Sequence, residues 1–167
     1  HKLSLSIGIM KAYSTCVGEG PFTAELFGEE AEELRKAGGE YGAAAGRRRL
    51  IGGFDVPASR YGVRVQGADE LAVTKLDVLS YMDKIPVCVA YDVNGRRVEE
   101  FPTGADLNAA KPIYEYLPGW HCDISSCRKP EGLPKEALDY IRYLEKAVGC
   151  PVKYVSVGAE REEYLTL

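Results

Sequence analysis

Glu70-Leu71-Ala72-Val73-Thr74-Lys75-Leu76-Asp77 is a short apolar run that leads straight into a charged loop. Leu71, Ala72 and Val73 read as a buried-type strand, and Thr74 to Asp77 as the connection that leaves it. In open α/β sheets ligands sit beyond the C-terminal ends of the strands, which is where this strand would deliver Asp77. An ionised carboxylate is acceptor-only, with two oxygens. Guanine presents two adjacent donors, its ring N1–H and its exocyclic amino group, and adenine offers no such pair. Asp77 is therefore a candidate guanine acceptor, and the Lys75 stem is expected to lie over the base with its ammonium in water. The plain alternative is that both are solvated residues on a strand-to-helix connection.

Working outward, residues 3–12 predict a strand that opens into a Gly/Ser/Thr-rich loop up to Phe22. Residues 23–37 predict a helix capped by Thr23 and ended by Gly38-Gly39. A second glycine- and alanine-rich loop, 41–53, carries Arg47, Arg48 and Arg49. Residues 56–66 predict a helix with Pro57 in its first turn and Gly67 past its end. Val87, Val89 and Tyr91 alternate within 85–101, and Asn94-Gly95 marks a hairpin turn there. Residues 102–133, rich in Pro, Gly and Asp, read as irregular. Residues 134–148 predict a helix with the apolar stripe Ala137, Leu138, Ile141, Leu144 and Val148. A last strand over 152–155 enters Ser156-Val157-Gly158, and residues 164–167 close the chain. The pattern predicts a single α/β domain: a largely parallel sheet flanked by helices, with a peripheral antiparallel hairpin.

At 167 residues the chain is long enough for one domain with a core of its own. Its 46% hydrophobic and 28% charged content suits a globular protein. A net charge of −4 argues against general nucleic-acid binding, which favours a basic face. No apolar run reaches the ~18 residues of a membrane span, and no leader with a cleavage site is visible. The five scattered cysteines are expected to be free thiols, which places the chain in the cytoplasm. His121, Cys122 and Cys127 match no closed tetrahedral zinc spacing, so no metal site and no catalytic residue is assigned.

Two further loops carry polar chemistry. Gly42-Ala43-Ala44-Ala45-Gly46-Arg47-Arg48-Arg49 sets three guanidiniums beside glycines in an acidic chain. This suits carboxylate or phosphate, which the planar fork of arginine binds in pairs, although charge runs are often only solvated patches. Ser156-Val157-Gly158 is a candidate second base loop, reaching the guanine oxygen through backbone N–H, if its strand ends on the same side as that of Asp77. The sequence contains no Gly-x-x-x-x-Gly-Lys-Ser/Thr phosphate cradle. A guanine pocket without one looks like part of a site.

The order of these loops resembles the C-terminal portion of adenylosuccinate synthetases. The resemblance rests on Lys-Ala-Tyr-Ser-Thr-x-Val-Gly-Glu-Gly-Pro-Phe from Lys11, Gly-Gly-Glu-Tyr-Gly-x-x-x-Gly-Arg from Gly38, Leu-Ala-Val-Thr-Lys-Leu-Asp-Val-Leu from Leu71, Val-Cys-Val-Ala-Tyr from Val87, Tyr-Glu-x-Leu-Pro-Gly-Trp from Tyr114, and Val-Ser-Val-Gly from Val155. It covers nearly all of this chain and the later part of the usual enzyme. It implies a P-loop-NTPase-like synthetase fold lacking its N-terminal part. It also implies GTP-dependent ligation of IMP and L-aspartate to adenylosuccinate with Mg²⁺, on the way to AMP, by a homodimeric enzyme. GTP phosphorylates the IMP 6-oxygen, and the aspartate amine displaces that phosphate.

Carried over by motif, Lys75, Leu76, Asp77, Ser156, Val157 and Gly158 bind guanine. Val17 lines the IMP pocket, and residues 43–49 form the substrate loop, with Arg47 near IMP and aspartate and Arg49 reaching aspartate and the nucleotide. The sequence departs from the family at Ala43-Ala44-Ala45, where threonines are usual, at Cys16, where Arg is usual, and at Gly53, where Trp is usual. The phosphate segment, the catalytic Asp and His, and the Mg²⁺ ligands belong to the family's N-terminal part, so this chain alone is expected to be inactive. The alternatives are a standalone guanine-nucleotide-binding module or non-catalytic remnant, and one half of a split enzyme.

Overall fold

The computed structural model describes residues 4–42 and 46–167. In chain order it contains β1 (Ile7–Lys11), β2 (Ser14–Cys16), α1 (Gly28–Gly38), β3 (Leu50–Gly52), β4 (Phe54–Asp55), α2 (Val56–Gln66), β5 (Glu70–Thr74), β6 (Lys84–Val93), β7 (Arg96–Val98), α3 (Ala105–Ala109), β8 (Ala110–Pro118), α4 (Lys135–Val148), β9 (Val152–Ser156) and β10 (Tyr164–Thr166). A 3-10 turn, Leu76–Tyr81, follows β5.

Leu71 and Val73 of β5 are buried, while the residues between them are half-covered. That alternation puts β5 in the middle of a sheet with order β1-β5-β9-β10. The first three strands run parallel, with Lys11 opposite Thr74 and Val73 opposite Val155. The antiparallel β10 closes the far side. The expected α/β architecture with a parallel sheet is therefore present.

The predicted hairpin is also present. Asn94 and Gly95 both have positive φ, which is what a two-residue turn of the primed type requires. It belongs to a second sheet, in which β6 pairs with β4 and β7 along one edge and with β8 along the other. Strand β8 lies inside the segment expected to be irregular. Pro112 and Pro118 disguise it, because proline removes a ladder donor and marks strand edges. Nine positions of β6 nevertheless face it, from Lys84–Pro118 to Val93–Ala110.

Two helices match their expected ends. The Asp55 carboxylate caps α2 by accepting from the Ala58 N–H at 3.0 Å, and left-handed Gly67 ends it. Left-handed Gly149 ends α4, donating to the Glu145 carbonyl. The buried stripe of α4 differs by one residue: Tyr140 occupies the core and Leu138 packs at its margin. The Tyr140 hydroxyl donates to the Ala12 carbonyl at 2.6 Å, fastening α4 to the end of β1.

The start of α1 is a correction. It begins at Gly28, with no side-chain cap, and Thr23 plays no part in it. Thr23 instead donates to buried Asp55 at 2.7 Å. The backbone ahead of the helix is held beside β3, through Leu26 N–H to the Ile51 carbonyl at 2.9 Å and a Glu25–Gly52 bridge. That pairing competes with helical hydrogen bonding and wins. Gly52 is what allows the approach, because a Cβ there would sit 1.6 Å from the Ala24 carbonyl oxygen. All five cysteines are free. Among the described residues no helix is long and apolar enough to cross a membrane.

Candidate functional site

The parallel register of β1, β5 and β9 brings the residues after each strand to one edge. Lys11 ends β1, Lys75 and Asp77 follow β5, and Ser156 ends β9. The condition for pairing the two base loops is therefore met.

Lys75 sits at φ 60, a left-handed conformation uncommon outside glycine. The turn after it buries Leu76 and Leu79 against the core. Its ammonium is not in bulk water as expected: it donates to the Gly38 carbonyl at 2.7 Å and to Glu40 Oε1 at 3.0 Å. The side chain as a whole stays partly exposed while its head is tethered.

Asp77 shows an unmet need. Its Oδ1 is buried and has no hydrogen-bond partner among the described residues. Burial, with Glu163 and Asp123 adding to it, pushes its carboxyl above the usual range, against the opposing pull of its own backbone N–H and Lys75. An orphaned buried acceptor is costly and rare. A ligand donor entering at this edge would satisfy it.

The second loop is already partly committed. Ser156 Oγ donates to the Gly158 carbonyl at 3.1 Å, and the buried Val157 N–H donates to the Glu163 carbonyl at 2.8 Å. Of the three residues, Gly158 keeps an N–H with no partner among the described residues. Glu163 lies against Gly158 so closely that a Cβ there would meet its carboxylate at 2.1 Å.

The arginine loop turns tightly. Gly42 N–H donates to the Arg47 carbonyl at 2.8 Å, Gly46 N–H donates to the Gly42 carbonyl at 2.9 Å, and Gly46 has φ 61. Ala43, Ala44 and Ala45 lie outside the described residues. The three guanidiniums do not act together. Arg48, in an isolated bridge with Tyr41, turns to Glu32 of α1 at 3.5 Å. Arg49 points the other way and donates to Glu40 Oε2 at 2.7 Å, with its buried Nε unpartnered among the described residues. Arg47 is exposed. Val17, beyond β2, is exposed too. Near it lies a cavity of about 450 Å³, lined by Lys11, Tyr13, Thr15, Cys16, Phe22 and Asp55 among others.

Glu40 is the residue that the sequence reading passed over. It is fully buried. It accepts from Lys11 Nζ at 2.9 Å, Lys75 Nζ at 3.0 Å, Tyr13 Oη at 2.6 Å and Arg49 Nη1 at 2.7 Å. Burial alone would raise its carboxyl, but the bonds from Tyr13, Lys11 and Lys75 overcome it and hold the carboxyl down to about 2. Tyr13 is pushed far up in turn, by burial and by its bond to Glu40. The available signal was a single acid inside Gly-Gly-Glu-Tyr-Gly, a charge where a flexible turn needs none.

No group of three His, Cys, Asp or Glu side chains suited to a metal ion occurs among the described residues. His121 pairs with Asp83 at 2.5 Å.

One edge of this α/β protein thus gathers an unsatisfied carboxylate, tethered lysines and an arginine loop. The chain belongs to the adenylosuccinate synthetase family, whose model matches residues 1–165. It is 52% identical to the adenylosuccinate synthetase of Frankia casuarinae over 167 residues, which is 99% of this chain and 39% of that protein. It is 50% identical to that of Synechococcus sp. (strain CC9902) over 162 residues, covering 96% of this chain and 37% of the relative. The structure of fully ligated adenylosuccinate synthetase from Plasmodium falciparum superposes with a TM-score of 0.92 at 34% identity, over 99% of this chain and 40% of that one. The chain thus spans well under half the length of the relatives it matches.

Proposed function

We propose that this chain supplies the guanine-binding and aspartate-binding loops of a cytoplasmic, homodimeric ligase that uses GTP to join IMP and L-aspartate into adenylosuccinate. The observation that carries the reading is the orphaned Asp77 Oδ1 at the strand edge, beside the tethered stem of Lys75. A carboxylate takes the two adjacent guanine donors. The lysine stem covers the base, and the Gly158 N–H is free to meet the base oxygen. Membership in the family supports the choice of substrates.

On the other side, Arg47 and Arg49 meet carboxylate and phosphate, with Val17 lining the IMP pocket. Lost threonine hydroxyls at Ala43, Ala44 and Ala45 each cost about 1 kcal/mol of hydrogen bonding to the aspartate carboxylate. Mg²⁺ enters as the companion of the GTP phosphates, with no ligand from this chain. These residues bind and orient, and the phosphate cradle and proton transfer fall to other parts of the enzyme.

Ligand-observed NMR of this chain with GDP, with ADP as control, tests the base pocket. Contact with GDP alone, lost in Asp77→Asn, is the expected result, and equal contact with both nucleotides would overturn it. A steady-state assay of this chain alone with IMP, aspartate, GTP and Mg²⁺ is expected to show no turnover.

A further inference from the structure

We propose that Glu40 is the positioning residue that couples the base-binding loop to the arginine loop. This inference rests on the guanine reading of Lys75 and Asp77. The geometry is specific. Oε1 of this fully buried carboxylate holds Lys11, Tyr13 and Lys75, while Oε2 holds Arg49. Lys75 belongs to the connection after β5, and Arg49 lies at the end of the glycine-rich loop. Glu40 itself follows the last turn of α1, where its N–H donates to the Arg35 carbonyl at 2.9 Å and its carbonyl accepts from the Arg49 N–H at 3.1 Å. Side chain and backbone of one residue thus grip the arginine loop, and its side chain also grips the base loop.

The charge balance gives the contact a function beyond packing. One negative charge is shared by three cations, and all three side chains are partly exposed. The four donors match the roughly four acceptor sites of a carboxylate, and a single cation would already balance its charge. Here the carboxylate instead holds an excess of positive charge in fixed places, with Lys75 turned along the base side and Arg49 along the substrate side. Movement of either cation changes the field and the hydrogen-bond capacity available to the other, because both draw on the same group. Binding at the base loop and the placement of the Arg49 side chain are then linked, and such linkage is reciprocal. Lys11 and Tyr13 complete the shell, so the carboxylate has no freedom to follow a departing partner.

The test is a double-substitution cycle read by GDP titration of this chain. Glu40→Gln keeps the shape and removes the charge; it is expected to weaken GDP about tenfold, the loss of one charge-assisted hydrogen bond. Arg49→Gln is expected to change GDP affinity about threefold in the parent; a part of that change carried through Glu40 is absent beside Glu40→Gln, whereas direct contact with the GDP phosphates would persist there and leave the effects additive. Additive effects, or full GDP affinity in a folded Glu40→Gln protein, would overturn the proposal. A purely structural Glu40 would lower the melting temperature and leave the cycle additive. Should Glu40→Gln not fold, Glu40→Asp keeps the charge and shortens the reach, and the same cycle is run on it. Should the parent bind no GDP, the guanine reading fails by itself. The coupling is then read without ligand, as a shift of the Arg49 Nε–H resonance on Lys75→Gln that vanishes beside Glu40→Gln. An unshifted Arg49 resonance in that experiment would overturn it.

Discussion

Lys75 Nζ and Glu40 Oε1 stand 3.0 Å apart, joining a residue after the second parallel strand to one after the first helix. Thirty-five positions separate them in the chain. The contact ties the lysine head to a fully buried carboxylate, while the side chain as a whole stays partly exposed. A lysine free to wander would lose rotamer entropy each time a base arrived, and one already tethered has lost it on folding. The same carboxylate holds Arg49, so one buried group fixes both the Lys75 and the Arg49 side chains.

Asp77→Asn is expected to separate stability from binding. The orphaned Oδ1 and the raised carboxyl mean that the ionised form is held at a cost in the unliganded fold. Asparagine keeps an oxygen acceptor there but removes the charge, and relief of that charge's desolvation is expected to raise the melting temperature, by about 2–4 °C for each kcal/mol regained in a chain of this size. GDP contact disappears in the same protein. Thermal melting and NMR on one sample check both halves.

GDP binding is expected to depend on pH through Asp77. The carboxyl is raised above its ordinary 3.8, so it takes up a proton earlier than an exposed aspartate as pH falls. Only the ionised form accepts both guanine donors, so affinity drops with that protonation. A GDP titration series down the acid range, compared with the 13C titration of the Asp77 carboxyl, is expected to give one shared midpoint above 3.8.

Glu40 sets the opposite sign for stability. Its folded carboxyl is depressed from 4.5 to about 2. The stability it contributes is therefore fully present above 4.5 and is lost as pH falls from there towards 2. The linkage amounts to about 3 kcal/mol if the whole depression is intrinsic to the fold. Urea unfolding across that window is expected to show a steep acid loss in the parent and a shallower one in Glu40→Gln.

Gly52→Ala is expected to be among the most damaging small changes. The added methyl would overlap the Ala24 carbonyl, so strand β3 and the segment ahead of α1 must part. The cost lies near the upper end for overpacking, about 3 kcal/mol. By contrast, Leu144→Ala leaves a cavity under α4 and costs about 2–5 kcal/mol without touching the strand edge. Denaturant midpoints rank the two, and GDP contact at low denaturant is expected to survive in Leu144→Ala only.

Much of this molecule is written in short-range pattern. The run from Leu71 to Val73 specifies a strand because alternate residues bury. Asn94-Gly95 specifies a turn because both adopt positive φ, and Gly67 and Gly149 end helices because left-handed backbone suits glycine. The apolar spacing of α4 needs no partner to be recognised. The place of Asp77 just past the end of β5 follows from the strand pattern. Tertiary structure decided the rest. It made a strand of residues 110–118 despite two prolines, delayed α1 to Gly28, split Arg48 from Arg49, and gathered Lys11, Tyr13, Lys75 and Arg49 onto Glu40. Periodicity reports only which face of an element is apolar. It carries no record of which distant backbone or charge will occupy that face, and the shared carboxylate forms only once the chain has closed on itself.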